Sequence, residues 1–295
     1  MRLIGVGEIL WDVIGRDEHL GGAVFNLCAH AARLGHEVCL ISAVGSDARG
    51  RRALERTGEL GVSTRFIQTV PGHATGAVTV TVDSAGQPSY VIHRPAAYDF
   101  AALDDAGFEQ LAAWRPDWIS FGTLFSMHPN ARSLLTGVLQ RFPQARRFYD
   151  INLRKDSFTR DLVVELLAAA DVVKLNDAEV EAVESMLGWS AVSLEDFCRN
   201  CAARFQCEAV CVTRGAQGCV LLLAGQYEEV AGHPVRVADA VGAGDAFAAA
   251  LIHAVDAGWS ARAAGAFANR LGALVASRRG AVPDWSLREL EEAVT

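Results

Sequence analysis

The strongest constraint on the fold is an order that repeats: short apolar, β-rich runs separated by stretches with helical periodicity. RLIGVG is followed by FNLCAHAARLG, then by EVCLISAVG and an Arg- and Glu-rich helical segment from Asp47 to Leu60. Further on, PDWISFG, ARRFYDINL, ADVVKLN, EAVCVTRG and GCVLLLA read as strands, each near a helical pattern. Apolar runs alternating with helices point to βαβ units whose strands are buried on both faces. The expected fold class is therefore α/β, with a predominantly parallel central sheet flanked by helices on both faces and residues 1–295 forming a single domain. A chain of 295 residues, 51% of them apolar, can bury a core of that size.

One region breaks the order. From Arg65 to Arg94 the sequence RFIQTVPGHATGAVTVTVDSAGQPSYVIHR alternates Thr, Val and Tyr, with turn signals at Pro71-Gly72 and Ser84-Ala85-Gly86 and no helix long enough for a crossover. It reads as a small antiparallel sheet projecting from the main layer and joined by the strand around Trp11 to Gly15. The lid expected from this sheet spans about residues 11–22 and 65–98. A decorative insertion accounts for the same pattern without a lid.

Several function classes drop out on composition. A net charge of −8 with no cluster of Lys and Arg argues against a nucleic-acid surface. No apolar stretch reaches transmembrane length, and Glu8 interrupts the only segment placed where a signal peptide would be, so a cytoplasmic protein is expected. The seven cysteines are odd in number and lie mostly in apolar runs, which suits buried thiols better than a disulfide framework. Cys198-x-x-Cys201 lies in a helical pattern without a second pair at zinc spacing, and reads as one face of a helix.

The residues that could carry chemistry are polar groups beside glycines. Gly242-Ala243-Gly244 directly before a helix would leave backbone N–H groups unpaired at a helix N-terminus, a phosphate-shaped site, with Asp245 in the first turn as a base for an attacking hydroxyl. On spacing alone an ordinary helix start with a favourably placed acid is the simpler reading. Thr213-Arg214-Gly215-Ala216-Gln217-Gly218 is either a hairpin turn or a loop that meets phosphates. Asn176 and Glu179 form a capping-box spacing that would also suit magnesium held through water. Asp12, Gly21-Gly22 and Asn26 surround the first turn into a helix and suit a polyol, or make a plain turn and cap. Neither Gly5-Val6-Gly7 nor the Gly242 segment completes a dinucleotide fingerprint, and the complete Walker A pattern is absent.

Taken in order, these segments resemble the PfkB carbohydrate kinases, also called the ribokinase-like family. DAVGAGDAF is similar to that family's C-terminal signature, and GGAVFN followed by AARLG and AVGSDARG resembles the N-terminal one. NDAE matches its N-x-x-E motif, and TRGAQG its T-x-G-x-x-G loop. The resemblance implies that Asp245 is the catalytic base and that the amides of Gly242, Ala243 and Gly244 form the anion hole. It implies that Asn176 and Glu179 organise Mg²⁺ through water, and that Thr213, Gly215, Gly218 and Asn269 line the ATP site. Asp12, Gly22 and Asn26 would hold the sugar under a β-lid, through which a homodimer is expected.

Within the family, GEILWDV, HRPAAYDF and YDINLRKDSF look like fructokinases, with Asp150, Asn152 and Arg154 in the D-x-N-x-R strand. Fructose is the expected sugar. A 2-keto-3-deoxygluconate kinase, whose acidic substrate would want Arg94 or Arg154, is the runner-up, and a silent sugar or nucleotide sensor is the alternative from another class. Ala240 stands where the signature usually has Thr, Val24 where it has Pro, and Tyr98 where Trp is frequent. Ala240 bears on the monovalent-cation loop, and so on an expected K⁺ ion.

Overall fold

The structure, a computed structural model, describes residues 1–82 and 88–292. Thirteen strands run in chain order as β1 (Arg2–Val6), β2 (Leu10–Ile14), β3 (Asp17–Gly21), β4 (Glu37–Gly45), β5 (Ile67–Val70), β6 (Gly76–Val82), β7 (Pro88–His93), β8 (Trp118–Gly122), β9 (Arg146–Asp150), β10 (Val172–Asn176), β11 (Ala209–Thr213), β12 (Cys219–Leu223) and β13 (Gln226–Val230). Nine form one sheet in the order β13-β12-β11-β10-β9-β8-β1-β4-β5, and four form a second in the order β3-β2-β6-β7. From β11 across to β5 every pair in the large sheet is parallel, while β12 and β13 are added antiparallel at one edge. The α/β class, with helices on both faces, is the one the alternation predicts.

Strand sequence explains burial on both faces. Along β11, Ala209 and Cys211 belong to one apolar core and Val210 and Val212 to the other, one on each side of the sheet. The face of Val210 and Val212 is closed mainly by the helices Pro129–Arg141, Arg160–Ala168 and Leu194–Phe205. The face of Ala209 and Cys211 is closed by Ala23–Arg33, Ala243–Asp256 and Ala261–Ala276. Gly5 and Gly7 now have a physical account: a Cβ on Gly5 would strike Cys28 and Val24, and one on Gly7 would strike Val24, so both let the helix Ala23–Arg33 lie directly on β1. In Ala243–Asp256 the side chains of Ala246, Ala248, Ala249, Ala250 and Ala254 are wholly buried, which lets the neighbouring helices approach closely. Cys198 and Cys201 lie buried on one face of Leu194–Phe205, and all seven cysteines are free.

The second sheet differs from the expected meander in two respects. Ile67–Val70 pairs in parallel with β4 as the edge of the large sheet, so only β6 and β7 of the 65–94 stretch join the small one. The strand around Trp11 joins as expected, but β2 runs parallel to β6, and β3, which the charged sequence DEHLG disguises, pairs with β2. The turn signal at Ser84-Ala85-Gly86 lies outside the described residues. Glu18 on β3 ties the small sheet to the body through Arg49 (2.6 Å) and Arg52 (2.7 Å), and Arg52 lies over the Trp11 ring. No helix among the described residues is long and apolar enough to cross a membrane.

Candidate active site

Chain order reverses at β1, which sits between β8 and β4, and the carboxyl ends of the parallel strands around such a point open into a crevice. Val6, Asp150, Asn176 and Thr213 end four of those strands. The helix Ala243–Asp256 brings Asp245 to this crevice in its first turn, facing the helix Ala23–Arg33, whose Asn26 donates from Nδ2 to Asp245 Oδ2 at 2.7 Å. Asp245 keeps partial solvent access while protein surrounds it at depth. Burial pushes its carboxyl up from the ordinary 3.8 to about 6, assisted by the Asp150 charge and opposed by the Asn26 hydrogen bond, Lys174 and Arg154. A carboxylate poised there is ionised at neutral pH and still basic enough to accept a proton from an alcohol as it attacks.

The turn before Asp245 is shaped by backbone. Gly242 caps the helix at φ 78°, a left-handed conformation, and a Cβ on it would run into the carbonyl of Ala281. The Ala243 N–H is directed to the Ala240 carbonyl at 3.3 Å, whereas those of Gly242, Gly244 and Asp245 have no acceptor among the described residues. The open amides thus differ from the Gly242–Gly244 trio that the motif implies, with Asp245 in the place of Ala243. They point out of a 14-residue helix at its positive end, which favours an anion. The Ala281 carbonyl also accepts from His30, one turn beyond Asn26. Because Trp285 Nε1 donates to His30 Nδ1 at 3.1 Å, Nε2 must carry the proton that meets Ala281 O at 3.0 Å. Burial holds His30 neutral, its pKa lowered to about 4.

Across the crevice, Asp12 on β2 lies with Oδ2 against Gly21, where a side chain would stand 2.9 Å away, and burial raises its pKa. Gly22 has φ 121°, and a Cβ there would strike the Glu8 carbonyl. Two buried acceptors at the crevice have no partner among the described residues: Oδ1 of Asn26, beside Asp245, and Oε2 of Glu8, whose Oε1 accepts from Ala23 N at 3.0 Å. Unpaired buried oxygens are costly and mark where donors such as sugar hydroxyls belong. Asn152 holds φ 41°, a strained setting for a residue with a side chain, and Arg154 two residues on acts electrostatically on Glu8, Asp12 and Asp245 while making no ion pair among the described residues.

Arg94 does not share that freedom. Its guanidinium is bound to both oxygens of the buried Asp99 and to the Leu124 carbonyl, so its charge is neutralised and its donors are committed within the protein. The expectation that it meets substrate gives way to a structural duty, because a buried carboxylate in a 3₁₀ turn needed a cation.

Asn176 and Glu179 close a complete capping box: Asn176 Oδ1 accepts from Glu179 N at 2.9 Å and Glu179 Oε2 from Asn176 N at 2.8 Å. Glu179 Oε1 also accepts from Leu153 N at 2.6 Å, and burial followed by the Asp150 charge raises its pKa. Each acceptor oxygen keeps one lone pair, which suits an ion held through water better than direct ligation. The Thr213–Gly218 segment is a hairpin between β11 and β12, turning through a 3₁₀ turn at Gly215–Gln217. Gly215 faces open space, while a Cβ on Gly218 would strike the Val230 carbonyl. Asn269 donates to the carbonyls of Val230 (3.3 Å) and Ala231 (3.0 Å) and anchors the chain leaving β13.

The sequence reading missed Glu8 and the pair Lys174–Asp150. An acid and a lysine inside strand-like apolar runs were the available signals. Lys174 on β10 binds both oxygens of Asp150 on β9, at 3.1 and 2.9 Å, with both side chains buried.

Comparison with known proteins agrees with this layout. A family model described as pfkB family carbohydrate kinase matches residues 9–287. A fructokinase of Vibrio alginolyticus is 29% identical over 277 residues, covering 89% of this chain and 87% of that protein. An ATP-dependent ribose-1-phosphate kinase of Halopiger xanaduensis is 29% identical over 305 residues, covering 95% and 94%. The crystal structure of a fructokinase with bound ATP from Xylella fastidiosa superposes with a TM-score of 0.86 at 23% identity, covering 99% of this chain and 98% of that one, which establishes the shared fold. With the match running almost end to end, the chain belongs to the pfkB family of carbohydrate kinases and is a phosphotransferase acting on a sugar hydroxyl.

Proposed function

We propose that this enzyme transfers the γ-phosphoryl of ATP to a hydroxyl of a small free sugar, fructose before others, with Asp245 as the base. The observation that carries the reading is the Asp245 carboxylate, raised to about 6 and oriented by Asn26 at the foot of open helix amides. The sugar hydroxyl that attacks gives its proton to Asp245. The amides of Gly242, Gly244 and Asp245 receive the transferring phosphoryl, and alignment with charge stabilisation supplies most of the acceleration. Asp12, Gly22, Asn26 and Asn152 surround the sugar, and the unpaired oxygens of Asn26 and Glu8 accept its hydroxyl protons. Asn176 and Glu179 would hold Mg²⁺ through water, and the ion would neutralise phosphate charge. Thr213, Gly215 and Gly218 flank the nucleotide, with Asn269 supporting that wall.

The small sheet acts as a lid. Ile14, Val80 and Tyr90 stand in one cross-strand row on the same face as Asp12, and Ile14 and Tyr90 are 45% and 60% exposed. That row would cover bound sugar and pair with the lid of a second copy. Seven free thiols fit a cytoplasmic enzyme. Asp239, which accepts from Val241 N and Gly280 N at 3.0 Å each, joins the two loops where a K⁺ ion would sit.

An acidic sugar is the second reading, because Arg154 is a guanidinium at the crevice with no ion pair among the described residues. A coupled ADP-release assay over fructose, 2-keto-3-deoxygluconate, ribose, glucose and adenosine decides between them. Fructose should give the highest kcat/KM, and Asp245→Asn should lose roughly 10²- to 10⁴-fold. Silence of the wild type on every sugar, with calorimetric sugar binding intact, would instead identify a sensor.

A further inference from the structure

Of the 27 Lys and Arg residues in the chain only two are lysines, and one of them, Lys174, is buried at 6% exposure in the middle of β10. Its cross-strand neighbour in register is Asp150, 4% exposed, at the end of β9. The ammonium stands 3.3 Å from the point where a side chain on Gly244 would begin, so it packs directly behind the turn that carries Asp245. The compact ammonium meets both Asp150 oxygens and keeps one of its three donors to spare.

A buried ion pair of this kind contributes little to stability compared with an apolar pair of the same volume, so its place here calls for another role. We propose that Lys174 is a positioning residue for phosphoryl transfer: a buried cation, held by Asp150 against Gly244, that sets the potential felt by Asp245 and by an anion on the Gly244 amide. The inference rests on the reading of Asp245 as base. Asp150 holds the ammonium with both of its oxygens, and Asp245 follows directly on Gly244, against which Nζ packs. Arg154 and the Asn26 amide are the other groups that face Asp245 and favour its ionised form. Without Lys174 the site would gather negative charge where more negative charge must arrive, and an internal cation fixed before the reaction costs no reorganisation during it.

The test is a titration of Asp245 in the full-length protein labelled with ¹³C at aspartate carboxyls, its signal identified by loss in Asp245→Asn. Lys174→Met should raise the midpoint by about one pH unit or more, Asp150→Asn should lower it, and the double variant should return close to wild type. In the fructose assay with Mg-ATP, the acid limb of kcat/KM should move in the same order, with kcat of Lys174→Met down at least roughly 10-fold. A merely structural pair would lower activity without moving the midpoints in opposite directions. If Lys174→Met does not fold, Asp150→Asn and the double variant carry the test, since their midpoints must then differ. Equal midpoints in folded variants overturn the inference. Full activity of Asp245→Asn would overturn the base reading instead and leave the charge coupling standing.

Discussion

Asp245 should make the protein less stable at the pH at which it works. Its carboxyl titrates at about 6 in the folded chain against an ordinary 3.8, the cause being burial first. A raised carboxylate pKa favours folding only while the group is protonated. That contribution is complete below the unfolded value and is lost as pH rises through the folded one. Relative to a residue that never ionises, ionised Asp245 therefore costs, at about 1.4 kcal/mol per pH unit, on the order of 3 kcal/mol at pH above about 7, and almost nothing near pH 3. Asp245→Asn keeps the shape and still offers an oxygen to Asn26, so it isolates the charge. At roughly 2 °C per kcal/mol for a chain of this size, its Tm should exceed the wild type's by about 5 °C at pH 8, with the gap closing between pH 6 and pH 4. The measurement is a thermal melt of both proteins across that range without nucleotide, alongside the ADP-release assay, in which the variant should be nearly silent. A gap that does not change with pH, or a variant less stable at pH 8, would refute the claim that burial holds this carboxyl high.

Five other substitutions separate roles that the geometry assigns. Asn26→Ala removes a 2.7 Å hydrogen bond that favours ionised Asp245, so the acid limb of kcat/KM should move up by about one pH unit, with activity partly recovered at high pH; a uniform loss at every pH would mean that Asn26 only binds sugar. Gly242→Ala meets both a left-handed backbone and the Ala281 carbonyl and should cost about 2–4 kcal/mol by denaturant melt, whereas Gly244→Ala, which meets only the Lys174 ammonium at 3.3 Å, should stay within about 1 kcal/mol. Arg94→Leu strips a buried Asp99 of its cation and should destabilise by about 3 kcal/mol, while Arg154→Gln should leave stability within about 0.5 kcal/mol and change KM, most for an acidic sugar.

How much of this was legible in the sequence depended on whether a residue's chemistry agreed with its local pattern. The parallel strands announced themselves because burial on both faces demands largely apolar runs, and Ala209–Val212 can hardly be anything else. β3 and β13 were hidden because DEHLG and QYEEV are strands whose outward residues are charged, and only their neighbours reveal them. Ile67–Val70 has a meander's composition, and its place at the edge of the large sheet is set by tertiary pairing with β4 alone. The site divides the same way. Asp245 and the Gly242 turn lie within one segment, so spacing could place acid, amides and helix start together. Arg94 looked available because its partner Asp99, five residues on, is brought to it only by the 3₁₀ turn at Ala97–Phe100.

Lys174 makes the same point from the other side. In sequence it is one cation in an apolar strand two residues before a metal-site motif. Its meaning comes from Asp150 on β9 and Gly244 in the turn before the last buried helices, 24 and 70 residues away, which meet only because the last residue of β9 pairs with Lys174 in the middle of β10, beside that turn. Motifs record groups that must be neighbours along the chain. The charge that balances them is drawn from the fold, where a single compact cation can serve Asp150, Glu179 and Asp245 at once. Replacing both Lys174 and Asp150 by apolar residues should then give a protein as stable as the parent and markedly slower, a separation of folding from catalysis that no local reading of KLNDAE contains.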